Sequence, residues 1–113
     1  MFDKYNDAIE YNWLDLAGYQ ATRIADSYVA HSNSSAAHGA HSPELVIAGC
    51  RRDAARWYRL AAEHYKQAAK AGLAGLFYQG ARTAIRPEKM PLPINMPAES
   101  ARLVALSERF GSY

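Results

Sequence analysis

Cysteine is almost missing from this chain of 113 residues, and Cys50 has no second thiol with which to close an internal disulfide. No uninterrupted apolar run approaches the roughly 18 to 20 residues that a bilayer-spanning helix needs. No basic start followed by a short apolar run and a small-residue cleavage site marks a secretory leader. A cytoplasmic setting without membrane contact is therefore the expectation. Proline is absent from Phe2 to Ser42, so nothing in that stretch forbids helix. Charge of one sign is also lacking, with a formal net charge of +2. A sequence pI near 8.8 falls short of the strongly basic balance of dedicated nucleic-acid domains. There is no glycine-rich phosphate cradle between a strand and a helix, and no convincing strand.

What is present is apolar content and helical periodicity. Half of the residues are hydrophobic, enough for one core in a single domain over residues 1–113. Between Asp3 and about Ala30, residues Ile9, Trp13, Leu16, Ala17, Ile24 and Tyr28 recur at spacings of three and four, which predicts one amphipathic helix. Gly18 in its middle marks a site of close packing. Residues 31–42 are small and polar without periodicity and predict a loop. Ser42 followed by Pro43 is a helix start, because proline at the first helical position lacks only an amide that would have been unsatisfied anyway.

The second helix carries the clearest pattern. At 100° per residue, Ile47, Cys50, Ala54, Trp57, Tyr58, Ala61, Tyr65 and Ala68 share one broad arc, and Arg52, Arg56, Arg59, Glu63, Lys66 and Lys70 fall opposite. Aromatic rings alternating with alanines suit a neighbouring helix with small residues of its own. Gly72 is a reasonable stop, and Leu73 to Ile85 predicts a separate or kinked apolar element. Met90, Leu92, Ile94 and Met96 are interspersed with Pro91, Pro93, Asn95 and Pro97, which predicts an extended strap lying against the helices. Leu103, Leu106 and Phe110 mark a short C-terminal helix ended by Gly111. The fold expected is all-α: a three- to four-helix domain built on a long antiparallel helical hairpin, with a Pro-rich strap and a short C-terminal helix.

Catalytic chemistry has little to stand on. His38 and His41 sit three apart in a flexible stretch that supplies neither four ligands nor rigidity, so no metal and no cofactor is expected. Cys50 lies on the dry arc and reads as a small hydrophobe. The charge distribution says more. Asp3, Asp7, Glu10, Asp15 and Asp26 outnumber Lys4 and Arg23 in the first helix, whereas Arg51, Arg52, Arg56, Arg59, Lys66, Lys70, Arg82 and Arg86 outnumber Asp53 and Glu63 over residues 51–86. In a hairpin the acidic segment would approach residues 60–71 and neutralise part of the stripe. Arg52, Arg56, Arg59, Lys66 and Lys70 are the candidate binding residues. Tyr11, Tyr19 and Tyr78 join them because they lie off the main apolar arcs, and Tyr, Trp and Arg are over-represented where proteins grip one another.

The stretch from Ala54 to Ala81, with Trp57-Tyr58, Ala61-Ala62, Ala68-Ala69, Gly72, Tyr78 and Gly80, is similar in outline to one helical hairpin of the tetratricopeptide or Sel1-like repeats. Its glycine and tyrosine spacing fits neither consensus and no second copy occurs, so no family follows. The function expected is a non-catalytic module that binds a larger protein or protein complex as an inhibitor or adaptor. By analogy of size and composition alone, such chains occur among phage and mobile-element accessory proteins, including anti-CRISPR inhibitors. The alternatives are nucleic-acid binding through the basic stripe and a small helical-bundle enzyme without a motif. Two helices of about 28 residues would each run some 40 Å, so either one breaks or another chain covers the excess, as in a homodimer.

Overall fold

The computed structural model describes residues 2–70 and 96–111. Among these the chain is all-α. Its elements are α1 (Asp3–Glu10), α2 (Leu14–Ser32), the single turn α3 (Ser35–His38), α4 (Pro43–Lys70) and α5 (Met96–Gly111). The element expected over residues 72–86 and most of the proline strap lie outside the described residues.

The expected first helix is two helices. Asn12 adopts φ 58°, the left-handed region that asparagine tolerates better than other non-glycine residues. The amide of Trp13 bonds the carbonyl of Ala8 at 2.8 Å and that of Asn12 bonds Ile9 at 3.1 Å, the paired bonds of a Schellman ending. Tyr11 and Trp13 stack across the turn with ring centroids 4.9 Å apart. The excess length that the sequence implied is thus resolved, for this helix, by a break that folds α1 back.

The polar stretch after α2 also holds more structure than its composition implied. Ser32 still belongs to α2, and the Ser34 hydroxyl accepts the Ala37 amide at 3.2 Å, capping α3. α4 begins at Pro43 as its sequence signal requires, with the Ser42 carbonyl accepting the amides of Leu45 and Val46 at 3.1 and 3.2 Å. At about 1.5 Å per residue its 28 residues run roughly 42 Å.

α4 is the shared wall of the fold, packed by α2 on one side and α5 on another. Asp26 meets Tyr58, and Gly18 lies against Tyr65, so α2 runs antiparallel to α4. Ser100 donates to the Ala62 carbonyl at 2.9 Å and Phe110 stacks on Tyr58, so α5 is antiparallel to α4 as well. Ala54, Tyr58, Ala61, Tyr65 and Ala68, spaced alternately by four and three, are all buried. Ala17, Ala21 and Ala25 recur every fourth residue of α2 and are buried too. Small residues let the two backbones approach, and the tyrosine rings fill the gaps between them. Gly18 is where that approach is tightest. A Cβ there would lie 3.0 Å from three ring carbons of Tyr65.

α1 is held against α4 by rings. Phe2 stacks on Trp57 at 5.6 Å, and Tyr5 meets Trp57 edge-on at 5.0 Å. Tyr5 Oη and His64 Nε2 share a buried hydrogen bond of 2.8 Å, while His64 Nδ1 is buried without a partner. Burial holds the His64 pKa below its ordinary value, since a charged imidazole is disfavoured there. Such a histidine stays neutral in the fold when the unfolded chain has taken up a proton. Stability contributed this way is present above about pH 6.5 and is lost as the pH falls from there toward the lowered folded value. Tyr5→Phe, which strands the second ring nitrogen, is expected to cost about 1–3 kcal/mol in urea unfolding at pH 8. A loss below about 0.5 kcal/mol would show that this bond does not hold α1.

Candidate functional site

The separation of wet and dry faces on α4 follows the sequence pattern. Arg52, Arg56, Arg59, Lys66 and Lys70 are all exposed. Together with Leu45 and Glu63 they fit within an arc of about 80° at 100° per residue, and from Arg52 to Lys70 they extend about 27 Å. Arg51, at the edge, is half-buried, with its guanidinium carbon 6.0 Å from the Phe110 ring centre.

Among the described residues, the exposed cations of α4 show none of the expected neutralisation by the acidic first segment. Arg56 reaches Asp53 at 3.5 Å within its own helix, and among the described residues none of the five cations pairs with a carboxylate of α1 or α2. The reason is geometric: α2 packs on the alanine and tyrosine face, and the cations fall on the opposite one. Asp26, one of the acids counted toward such pairing, instead accepts the Tyr58 hydroxyl at 2.5 Å. Burial, together with that bond, pushes the Tyr58 pKa up.

The amino-terminal end of this arc is apolar. Leu45 is 74% exposed, and Val46, Ile47, Ala48, Gly49 and Cys50 are each half-exposed. Among the described residues a Cβ added at Gly49 would meet nothing within 4 Å, so none of them covers this face of the helix. The arc therefore runs from an aliphatic end through Arg52, Arg56 and Arg59 to Glu63, then to Lys66 and Lys70.

The tyrosines separate. Tyr11 is 59% exposed at the α1–α2 turn, held flat on Trp13. Tyr19 is half-buried against the core with Arg23 5.9 Å above its ring, so part of its surface is used in packing. Tyr78 lies outside the described residues. No stacking contact joins Tyr11 to the α4 arc among the described residues.

Two polar residues outside the candidate set are deeply buried, and one of them, Asp15, is among the acids expected to face the basic stripe. Asp15 is 0% exposed; its Oδ1 accepts the Leu16 amide at 2.9 Å and its Oδ2 has no partner. Burial raises its pKa. Gln20 is 4% exposed, and its Nε2 has no partner. The three-and-four spacing of Trp13, Ala17 and Ile24 does place Gln20 on the buried side of α2, whereas Asp15 falls off that spacing and is enclosed only in the folded chain. Among the described residues no three His, Cys, Asp or Glu side chains gather as a metal set, and no helix is long and apolar enough to cross a membrane. The chain matches no protein-family model, no curated protein sequence and no solved structure.

Proposed function

We propose that this protein is a non-catalytic binding module that engages an acidic face of a larger protein through the exposed arc of α4. The observation that carries the reading is the composition of that arc: Leu45, 74% exposed, shares it with Arg52, Arg56 and Arg59. A large apolar side chain beside forked cations suits a protein interface, where an apolar anchor is ringed by polar contacts. A phosphate backbone gives Leu45 no partner. Glu63, between Arg59 one turn before and Lys66 one turn after, would repel phosphates and can pair with a basic group on a protein. An inhibitor or adaptor role fits such a module, and a second copy of the chain is one partner of this kind.

Nucleic-acid binding is the second reading, favoured by the five cations that no carboxylate of α1 or α2 neutralises. Arg56→Glu with Arg59→Glu separates the two, since both side chains are exposed and the fold does not depend on them. The expected result is negligible DNA and RNA binding by either form, and loss in the double variant of a protein captured by wild type. Leu45→Asp is expected to release the same protein, as removal of an anchor costs about 2 kcal/mol or more of binding. Submicromolar nucleic-acid binding that weakens steeply with salt, and whose salt slope flattens by about one per removed charge, would overturn the proposal.

A further inference from the structure

The break after α1 creates something that a continuous helix would not contain. Folding back brings Asp3 and Lys4, at the start of α1, over Gln20, Arg23, Ile24 and Ser27 of α2, and these six line a cavity of about 360 Å³. That volume lies at the lower end of the roughly 300–1,000 Å³ usual for small-molecule sites. Two of its polar groups, Lys4 and Arg23, are cations that can hold an anion, and Asp3 beside them can accept from hydroxyls. Lys4 and Arg23 are exposed, and no ion pair joins either one to Asp3 among the described residues. Arg23 is oriented by the Tyr19 ring beneath its guanidinium. α1 has no side-chain cap, and Asp3 and Lys4 of the cavity lining belong to its first turn, at the positive end of the helix.

The independent sign of a ligand is Gln20. It is 96% withdrawn from solvent and lines the cavity, yet its amide nitrogen has no acceptor among the described residues. Buried donors in folded proteins are almost always paired, and an unpaired one in the wall of a cavity points to an acceptor from outside the chain. The terminal torsion of glutamine is broad, so the amide can turn toward the cavity at little cost.

We infer that the α1–α2 cavity is a binding site for a small phosphorylated polyol. Arg23 and Lys4 hold the phosphate, Gln20 donates to one of its oxygens or to a hydroxyl, and the Asp3 carboxylate accepts from the hydroxyls of the body. Ile24 supplies the apolar wall. A phosphate suits this set better than a carboxylate, because its several oxygens can satisfy two cations and an amide at once.

The probe is glycerol 3-phosphate, titrated into isotopically labelled full-length protein at constant ionic strength and followed by backbone and side-chain amide shifts. The expected result is saturable movement of Gln20, Arg23 and the first turn of α1, with inorganic phosphate shifting the same signals more weakly and glycerol leaving them in place. Arg23→Gln, at an exposed position, is expected to weaken binding about tenfold. Gln20→Met fills the same volume without a donor and is expected to weaken it comparably, with the dispersion of the remaining spectrum reporting that the fold is kept. Absence of saturation by about 10 mM, far weaker than useful small-molecule affinity, would overturn the assignment. So would shifts reproduced by sodium chloride alone, shifts unchanged in Arg23→Gln, or saturation by glutarate with glycerol 3-phosphate silent. None of these signals belongs to the α4 arc, so the outcome is independent of the partner proposed for that face.

Discussion

Replacing Tyr65 by alanine is expected to cost about 3–5 kcal/mol, the range for deleting a buried aromatic side chain. The ring is 2% exposed and lies directly over Gly18, so its loss opens a gap between α2 and α4 that neither backbone can close alone. Against the 5–15 kcal/mol of a typical domain, that loss brings the chain near its unfolding threshold at 25 °C. The companion experiment is sharper because it reverses sign. Gly18→Ala removes helix entropy worth about 1 kcal/mol in favour of folding but sets a methyl 3.0 Å from three carbons of a ring that is itself buried. Overpacking costs about 1–3 kcal/mol, so the single substitution should destabilise. With Tyr65→Ala already present the clash is gone, and the same Gly18→Ala should stabilise by up to about 1 kcal/mol. Denaturant unfolding of the four proteins in the cycle reads the coupling, and additive values would disprove the contact.

Asp15→Asn is expected to raise stability at pH 7, by an amount on the order of 1 kcal/mol, the extra cost of a charged over a neutral unpartnered buried group. The substitution keeps an oxygen to accept the Leu16 amide and changes little else but charge. Burial raises the Asp15 pKa, so between its ordinary value near 3.8 and the raised folded value the folded state holds a proton that the unfolded chain has released. The wild type therefore has its full contribution from this group below about pH 3.8 and loses it as the pH rises through that window. The asparagine variant should lack this descent. The difference between the two stability curves isolates Asp15 from His64, whose effect runs the other way with pH. A wild-type curve that coincides with that of the variant from pH 3 to 8 would show that the carboxylate is not confined as described.

The outline of α4 could be read directly from the chain because its signals agree at every level. Ser42-Pro43 starts it, the buried alanines and tyrosines keep helical phase from Ala54 to Ala68, and the cations take the opposite side. The ending of α1 could not, because Ile9, Trp13 and Leu16 keep an unbroken three-and-four spacing across the break. Asn12 supplies the left-handed residue that glycine would have advertised more openly. α3 is too short for periodicity and depends on one serine cap. The cavity above Gln20 was illegible for the same reason as the break. In a continuous helix Lys4 and Gln20 would stand about 24 Å apart, and only a reversal of the chain places both on one hollow. The inert role of Asp26 toward the basic face likewise depends on which side of α4 meets α2, which no count of charges contains. The exposure of the α4 cations was thus recoverable from pattern, whereas Asp15, Gln20 and His64 acquire their character only from tertiary enclosure.

The double packing of α4 has a further consequence. With neighbours along its length on the alanine and tyrosine side, the helix behaves as a stiff ruler whose opposite edge carries graduations one or two turns apart, at Leu45, Arg52, Arg56, Arg59, Glu63, Lys66 and Lys70. Its backbone has little freedom left to surrender on contact, so the entropy lost there falls on the long side chains. A surface that meets this edge must therefore match its spacing over about 37 Å from Leu45 to Lys70, because the rod does not bend to accommodate it. Selectivity would then reside in the distances between groups as much as in their charge.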